Sequence, residues 1–207
     1  MADAIILAGG RGGRIGGPKP LIELGGRALI SYVLDAAEEV SDEIVVVVGE
    51  EEAGHLESLL PRKARIARDL TRGGGPLIGV YSGLAHLRSE YAVVLPCDSP
   101  FINTEVLKYL IGRAEGADAA VPLWPNGYIE PLHSVYNVPA ALEAGKAAIE
   151  AEKLRVHSMI ERLKETVYVP VEELRRFDPG LLTFFNINSG EDLKRAEAIL
   201  RRRGLSR

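Results

Sequence analysis

Apolar residues along this chain follow two patterns: short unbroken runs, and longer stretches in which they recur at helical spacing. The run at residues 44–48 is entirely Ile and Val, which is typical of a strand buried on both faces of a parallel sheet. Between residues 28 and 40, apolar side chains recur every three or four positions, which predicts an amphipathic helix. The two patterns alternate through roughly the first 121 residues.

This alternation predicts the fold class. Strands are predicted at residues 5–8, 44–48, 64–67, 91–95 and 117–121, and helices at 28–40, 51–60, 77–87 and 104–115. Strands that alternate with helices join through right-handed crossovers into a parallel sheet. We therefore predict an α/β fold of three layers (αβα), with a mostly parallel sheet and a Rossmann-like first half.

The second half of the sequence is less regular. An extended piece at 129–136 contains Pro131, which argues against a central strand at that point. The remaining predicted elements are helices at 139–150 and 156–163, a strand at 166–169, a surface helical turn at 172–177, a last strand at 182–187, and a terminal helix that begins with a capping box at 189–192 and reaches about Arg203.

Composition excludes several classes of protein. The 207 residues are 46% hydrophobic and carry a net charge of −4, whereas a general nucleic-acid binder should be basic. No apolar run approaches the roughly 20 residues that span a bilayer, so we expect no membrane partner. The first residues lack the basic segment of a secretory signal, and Cys97 is the only cysteine, so no internal disulfide can form. We therefore expect a cytoplasmic protein.

The loop after the first predicted strand has the chemistry of a phosphate site. Glycine amides can approach a ligand closely, and guanidinium and ammonium groups bind polyphosphates. A flexible, solvated loop is the alternative, but six glycines with three cations and no acid favour phosphate binding. These residues are Gly9, Gly10, Gly12, Gly13, Gly16 and Gly17, with Arg11, Arg14 and Lys19.

The loop does not match the two commonest phosphate motifs. Gly12 and Gly17 have P-loop spacing, but Pro18 follows where that motif needs lysine. The dinucleotide fingerprint fails as well, because Ile15 stands where its third glycine should be.

Two carboxylates also follow predicted strands directly. Asp98 follows the strand at 91–95, where a carboxylate beside phosphates suits Mg²⁺, although an Asx-turn is the alternative role. Asp69 follows the strand at 64–67 and could bind a guanine edge or ribose hydroxyl, or simply stabilise the turn at 73–76. In the first case residues 75–77, beginning with Gly75, would wall the base. Parallel strands end at the same edge of a sheet, so we expect these groups and the glycine-rich loop to share one pocket. Cys97 fits a small buried hydrophobe better than a nucleophile.

Five segments, in order, are similar to those of MobA-type molybdenum cofactor guanylyltransferases. That family belongs to the nucleotidyltransferases, which join an NTP to a phosphorylated acceptor and release pyrophosphate. The segments are LAGGRGGRIGGPKPL at 7–21, GPLIG at 75–79, PCDSPFI at 96–102, EPL at 130–132 and FNINSGEDL at 185–193.

The resemblance implies roles for particular residues. Lys19, Arg14 and Asp98 would be catalytic, and Asp98 would hold Mg²⁺. The acceptor would lie near Glu130, Asn186 and Asn188. The nucleotide would be bound by Leu7, Ala8, Gly9, Gly10, Arg11, Lys19, Asp69, Gly75 and Asp98.

The implied activity is transfer of GMP from GTP to the phosphate of a molybdopterin-type acceptor. We expect a single domain over residues 1–207, with a nucleotide-binding half at about 1–121 and an acceptor-binding half at about 122–207. A client molybdoenzyme or a chaperone is a further candidate partner.

One departure from the family pattern concerns the acceptor. The loop often reads GG-x-D-K-x-L, whereas residues 16–21 read GGPKPL, which leans toward enzymes acting on sugar phosphates or adenosylcobinamide phosphate. The same chemistry on one of those acceptors, or CTP with molybdopterin, is therefore an alternative. A non-catalytic adaptor that delivers nucleotide or cofactor is another, although it would have no reason to keep a metal ligand.

Overall fold

The computed structural model describes residues 2–9, 17–49, 53–68 and 75–203. The strands are β1 (Ala2–Leu7), β2 (Glu23–Leu24), β3 (Arg27–Ala28), β4 (Ser41–Val48), β5 (Ala64–Arg68), β6 (Tyr91–Pro96), β7 (Ala119–Leu123), β8 (Ser134–Asn137) and β9 (Thr166–Pro170). The α-helices are α1 (Leu29–Val40), α2 (Ala53–Leu56), α3 (Pro76–Leu84), α4 (Thr104–Ala114), α5 (Val138–Glu150), α6 (Val156–Ile160), α7 (Val171–Leu174) and α8 (Gly190–Arg202).

Seven of these strands form one sheet in the order β5-β4-β1-β6-β8-β7-β9. All neighbouring pairs are parallel except those of β8, which runs antiparallel to both β6 and β7. The chain moves from β1 outward to β4 and β5, then returns to β6 on the other side of β1. Such a reversal of direction creates a crevice beyond the carboxyl ends of the two central strands, where α/β proteins bind ligands.

Helices cover both faces of the sheet. Helices α1, α2, α4 and α7 share one buried apolar cluster with the sheet, and α3, α5 and α6 share a second cluster with the opposite face. The three-layer α/β/α arrangement predicted from the sequence is confirmed. A third, smaller cluster joins the β2–β3 hairpin and α8 through Leu24, Phe101, Ile187 and Leu200.

Several predicted elements differ in their bounds. Helix α3 ends at Leu84 rather than residue 87, α6 ends at Ile160 rather than 163, and the described part of the 51–60 prediction is α2 followed by a 3₁₀ turn at Glu57–Leu59. The extended piece at 129–136 contributes a strand only from Ser134, because residues 130–133 form a turn closed by the His133 amide on the Glu130 carbonyl.

The strand predicted at 182–187 is wrong. Those residues are all described and form no strand; Leu182–Phe184 is a 3₁₀ helix. The carboxylate of Asp178 accepts hydrogen bonds from both the amide and the hydroxyl of Thr183, which closes a turn there. The apolar side chains of this segment instead pack in separate places, for example Ile187 in the third cluster.

Among the helices of the described residues, none combines the length and apolar character that crossing a bilayer requires.

Candidate active site

The site is built where the two central strands end. The Cys97 amide, just after β6, donates to the Leu7 carbonyl at 3.1 Å, and the Ala8 amide, just after β1, donates to the Val47 carbonyl at 2.8 Å. The ladder between β1 and β6 is unbroken from Ala2↔Tyr91 to Leu7↔Pro96. The segments that leave these strands are therefore held side by side by the sheet backbone.

Lys19 lies against the exit of β6. Its Nζ donates to Asp98 Oδ2 at 2.5 Å and to Asn188 Oδ1 at 2.6 Å. The side chains of Lys19 and Asp98 are 24% and 12% exposed, so the ion pair is largely withdrawn from water. Three segments separated by 79 and 169 positions in sequence thus meet at one ammonium group.

Two prolines shape the segment that carries Lys19. Pro18 precedes a single 3₁₀ turn, Lys19–Leu21, and the Leu21 amide donates back to the Pro18 carbonyl at 3.0 Å. Pro20 lies within the turn and is buried. Because proline fixes its own φ and restricts the residue before it, the sequence Pro-Lys-Pro limits the backbone at Lys19.

The segment 186–188 reaches the site without being part of the sheet. The Ile187 amide donates to the Asp98 carbonyl at 3.0 Å, and the Ile187 side chain is fully buried in the third cluster. Asn188 leads into the Ser189 cap of α8, where Asp192 accepts from the Asn188 amide at 3.1 Å and from the Ser189 hydroxyl at 2.8 Å. The Ser189 hydrogen bond is the main reason that the pKa of Asp192 is lowered.

A buried polar group lies behind the site. Ser99, beside Asp98, donates its hydroxyl hydrogen to Asn186 Oδ1 and lies 3.1 Å from His133 Nε2. Burial lowers the pKa of His133 to about 3, so the ring is neutral near pH 7. Glu130 accepts from Trp124 Nε1 at 2.8 Å, and burial raises the pKa of Glu130 against the opposing effect of that hydrogen bond.

The structure brings together some of the predicted residues and separates others. Lys19 contacts both Asp98 and Asn188, and Asn186 is hydrogen-bonded to Ser99, the residue after Asp98. Glu130 lies behind His133, with its carboxylate 3.8 Å from the His133 Nδ1 atom. The exit of β1 supplies Leu7, Ala8 and Gly9, of which Gly9 is exposed.

Gly75 lies at the start of α3, where it caps the helix. A Cβ there would be 3.0 Å from the Leu154 carbonyl, so the absence of a side chain allows close packing against the turn after α5. The predictions for Gly10, Arg11, Arg14 and Asp69 fall outside the described residues.

Sequence reasoning missed Ser99 and His133. Ser99 lies in the segment 96–102, where the resemblance implies a role for Asp98 alone, and His133 directly follows the EPL segment at 130–132. The signal available in the sequence was that Ser99 directly follows Asp98, the predicted metal ligand after the strand at 91–95.

The donor set fits a magnesium ion shared with a substrate. Within the described residues, no group of three or more His, Cys, Asp or Glu side chains is placed to hold a metal. Mg²⁺ does not require one, because it commonly takes one or two carboxylates and completes its shell with phosphates and water. Asp98, with the Asn188 amide oxygen on the same ammonium group of Lys19, would meet that requirement together with a phosphorylated ligand.

The fold and the site together define an α/β nucleotide-binding protein of the nucleotidyltransferase class. Residues 4–167 match the MobA-like NTP transferase domain. The chain therefore belongs to the MobA-like NTP transferase family.

Similar proteins agree in length and fold. The chain is 39% identical to a probable molybdenum cofactor guanylyltransferase of Methanosarcina acetivorans, covering 93% of this chain and 88% of that protein. It is 36% identical to the molybdenum cofactor guanylyltransferase of Desulfosudis oleivorans, covering 95% of each. The crystal structure of molybdopterin-guanine dinucleotide biosynthesis protein A from Archaeoglobus fulgidus superposes with a TM-score of 0.83 at 37% identity, covering 97% and 99% of the two chains.

Proposed function

We propose that this protein is a molybdenum cofactor guanylyltransferase, which transfers GMP from GTP to the terminal phosphate of a molybdopterin-type acceptor and releases pyrophosphate. The observation that carries the proposal is the meeting of Lys19, Asp98 and Asn188 at the switch point of the sheet. Membership of the MobA-like family and the names of its relatives support the choice of GTP and molybdopterin.

The reaction is an in-line displacement at the α-phosphorus of GTP. An oxygen of the acceptor phosphate forms the new P–O bond, and the bond to the oxygen bridging the α- and β-phosphates breaks. The bond's electron pair leaves with pyrophosphate. Because the attacking oxygen is already anionic, the protein needs no general base, and its task is to position the phosphates and stabilise their charge.

Lys19 is the described residue best placed to neutralise phosphate charge. Its ammonium group is paired with Asp98, the carboxylate at the exit of β6. Arg14, or Arg11, would add positive charge beside the leaving pyrophosphate. Leu7, Ala8, Gly9, Gly10, Asp69 and Gly75 would bind the rest of the nucleotide.

Asp98 would hold Mg²⁺, with the amide oxygen of Asn188 close by. When bound, the ion supplies a Lewis acid that offsets phosphate charge. The protein's own contribution is to fix Asp98 at the end of β6, where the Asp98 carbonyl also anchors the acceptor-side segment through Ile187.

A pyrophosphate-release screen tests the proposal. GTP and CTP are each combined with molybdopterin, adenosylcobinamide phosphate and a sugar phosphate, in the presence of Mg²⁺. We expect release with GTP and molybdopterin alone. Release with another pair would reassign the substrate, and GTP binding without release from any acceptor would favour a delivery adaptor.

The Lys19→Ala variant tests the phosphate role directly. Removing the ammonium group should raise KM for GTP about tenfold or more, because a charge-assisted contact to phosphate is lost. Lys108→Ala is the matched control, since Lys108 is an exposed lysine that pairs with Glu105 at 2.7 Å. Wild-type kinetics for Lys19→Ala would remove Lys19 from the mechanism.

A further inference from the structure

A buried chain of polar groups runs behind the site and is not used by the reaction proposed above. Hydrogen-bond contacts join His133, Ser99 and Asn186, and the carboxylate of Glu130 lies beside His133. His133 is 1% exposed and Ser99 is 0% exposed. Burying a polar side chain costs more free energy than burying an apolar side chain in the same place. Because burying these polar side chains costs free energy, we expect them to serve a function in the neighbouring site.

Aromatic rings pack around one end of this polar group, at His133. The rings of Trp124 and His133 both meet the Phe184 ring edge-on, with centroids 5.8 Å and 5.3 Å away. Trp124 also holds one oxygen of Glu130 at 2.8 Å. These contacts fix the plane of the His133 ring and leave it little room to rotate.

The hydrogen atoms in this chain can be assigned by counting. A serine hydroxyl has one hydrogen, and that of Ser99 is donated to Asn186 Oδ1. The 3.1 Å contact between Ser99 Oγ and His133 Nε2 must then use a hydrogen on Nε2. A neutral ring carries only one N–H, so Nδ1 is the bare nitrogen.

The surroundings of Nδ1 agree with this assignment. Among the described residues, Nδ1 is one of two buried side-chain atoms without a hydrogen-bond partner. The nearest carboxylate oxygen, from Glu130, is 3.8 Å away, beyond hydrogen-bond distance. A buried N–H left unpaired beside a carboxylate should draw closer, whereas a bare nitrogen should not.

The unpaired Nδ1 atom of His133 agrees with the direction of the Asn186 amide. Its Oδ1 faces the buried Ser99, so the group of this half-buried amide that remains for a ligand is its Nδ2. An amide NH₂ donates hydrogen bonds and cannot coordinate a cation. The two asparagines of this segment then have different tasks.

We propose that His133 and Ser99 are positioning residues that hold Asn186 with its NH₂ group toward the acceptor, so that Asn186 binds the acceptor phosphate as a donor and leaves oxygen ligation to Asp98 and Asn188. The kinetic part of this inference rests on the proposed function; the hydrogen assignment does not.

The hydrogen assignment is tested by NMR of the ligand-free protein. Long-range proton–nitrogen correlation of the imidazole rings, with His133 assigned by its loss in His133→Gln, should show a neutral ring protonated on Nε2. A ring protonated on Nδ1 would overturn the proposal, because Ser99 would then donate to His133 and the Asn186 amide would be reversed. This outcome does not depend on any activity.

The kinetic test uses Ser99→Ala and His133→Leu. Each should raise KM for the acceptor about tenfold, the equivalent of one hydrogen bond to a charged group, while kcat and KM for GTP change less than twofold. The double variant should resemble either single variant, because both act through the same amide. His133→Gln keeps an N–H donor and should recover most of the loss.

Ser41→Ala is the matched control, because Ser41 is also a buried serine whose hydroxyl bonds within the protein, to the Ala37 carbonyl, at the start of β4 and away from the strand ends that form the site. A wild-type acceptor KM in Ser99→Ala, or equal changes for both substrates, would overturn the positioning role. If His133→Leu fails to fold, Ser99→Ala alone decides. A wild-type protein that releases no pyrophosphate would instead refute the proposed function and leave the NMR result standing.

Discussion

The two sides of the site are positioned in different ways. The strand exits that carry Leu7 and Asp98 are fixed by six consecutive register pairs between β1 and β6, deep in the sheet. The opposing segment, Asn186 to Asn188, belongs to no sheet within the described residues, and is held by one backbone hydrogen bond, one buried isoleucine and a few side-chain contacts.

The difference shows where each side is vulnerable. At a strand exit, replacing a side chain removes its chemistry and leaves the backbone in place. On the opposing segment, the position of the backbone and of each amide depends on polar neighbours, so substitutions there should act first on how the acceptor is bound.

The largest expected effect is that of Asp98→Ala. We expect turnover to fall about 10²- to 10³-fold, because a preorganised charge at the reacting phosphates is lost, while GTP binding changes much less. Steady-state pyrophosphate release and GTP titration measure the two effects separately. Asp35→Ala is the control, since Asp35 is an exposed carboxylate that pairs with Arg27 at 2.7 Å. Normal turnover with Mg²⁺ would show that the metal assignment is wrong.

The packing beneath β1 is tested by a pair of glycine substitutions. A Cβ at Gly83 would lie 2.6 Å from Cγ2 of Ile5, a fully buried residue of β1. Gly83→Ala should therefore lower the free energy of unfolding by about 1–3 kcal/mol, the usual cost of overpacking a core. Urea denaturation measures this change.

Gly112→Ala is the matched control, because Gly112 is exposed on α4 and nothing lies within 4 Å of its Cβ position. It should raise the free energy of unfolding by up to about 1 kcal/mol through helix propensity. Equal effects of the two substitutions would mean that Gly83 of α3 is not tightly packed against Ile5 of β1.

On the opposing segment, Asn188→Ala should raise KM for the acceptor about tenfold, with a smaller change for GTP. The physical reason is that Asn188, on the proposed acceptor side, shares the Lys19 ammonium group with Asp98. Asn126→Ala is the control, since Asn126 is exposed in a turn and accepts from the Tyr128 amide at 3.0 Å. A loss confined to GTP would reverse the two sides of the site.

The smallest effect concerns Glu130 and pH. Its pKa is raised in the folded protein, so the native state holds the proton more tightly than the unfolded chain does. Stability from this group is present below the usual glutamate pKa of 4.5 and is lost as pH rises toward the folded value. The stability of the wild type relative to Glu130→Gln should therefore fall as pH rises from about 4 to 7.

Thermal unfolding at several pH values measures that trend. Glutamine keeps the oxygen that accepts from Trp124, so the comparison isolates the charge. Glu105→Gln, at an exposed glutamate paired with Lys108, is the control. A stability difference that rises with pH would contradict the burial of the Glu130 carboxylate.

Much of the first half of the fold could be predicted. The β-branched run at 44–48 forms the last five residues of β4, and the helical spacing at 28–40 corresponds to α1, whose start differs by one residue. The last predicted strand failed because its apolar residues fill separate positions: Phe184 packs on Trp124, and Ile187 joins the third cluster. Periodicity cannot distinguish such isolated contacts from the face of a sheet.

The sequence by itself determined the three-layer fold, because alternating apolar patterns and the handedness of crossovers leave few other arrangements. It also determined that polar strand exits gather at one edge. Only the tertiary structure decided that Lys19 pairs with Asp98 and Asn188, and that Ser99 and His133 stand behind Asn186. Those contacts join residues up to 169 positions apart in the sequence. A hydrogen bond needs a donor–acceptor distance within a few tenths of an ångström and a suitable angle, so these contacts form only once the packed elements fix the side chains relative to one another.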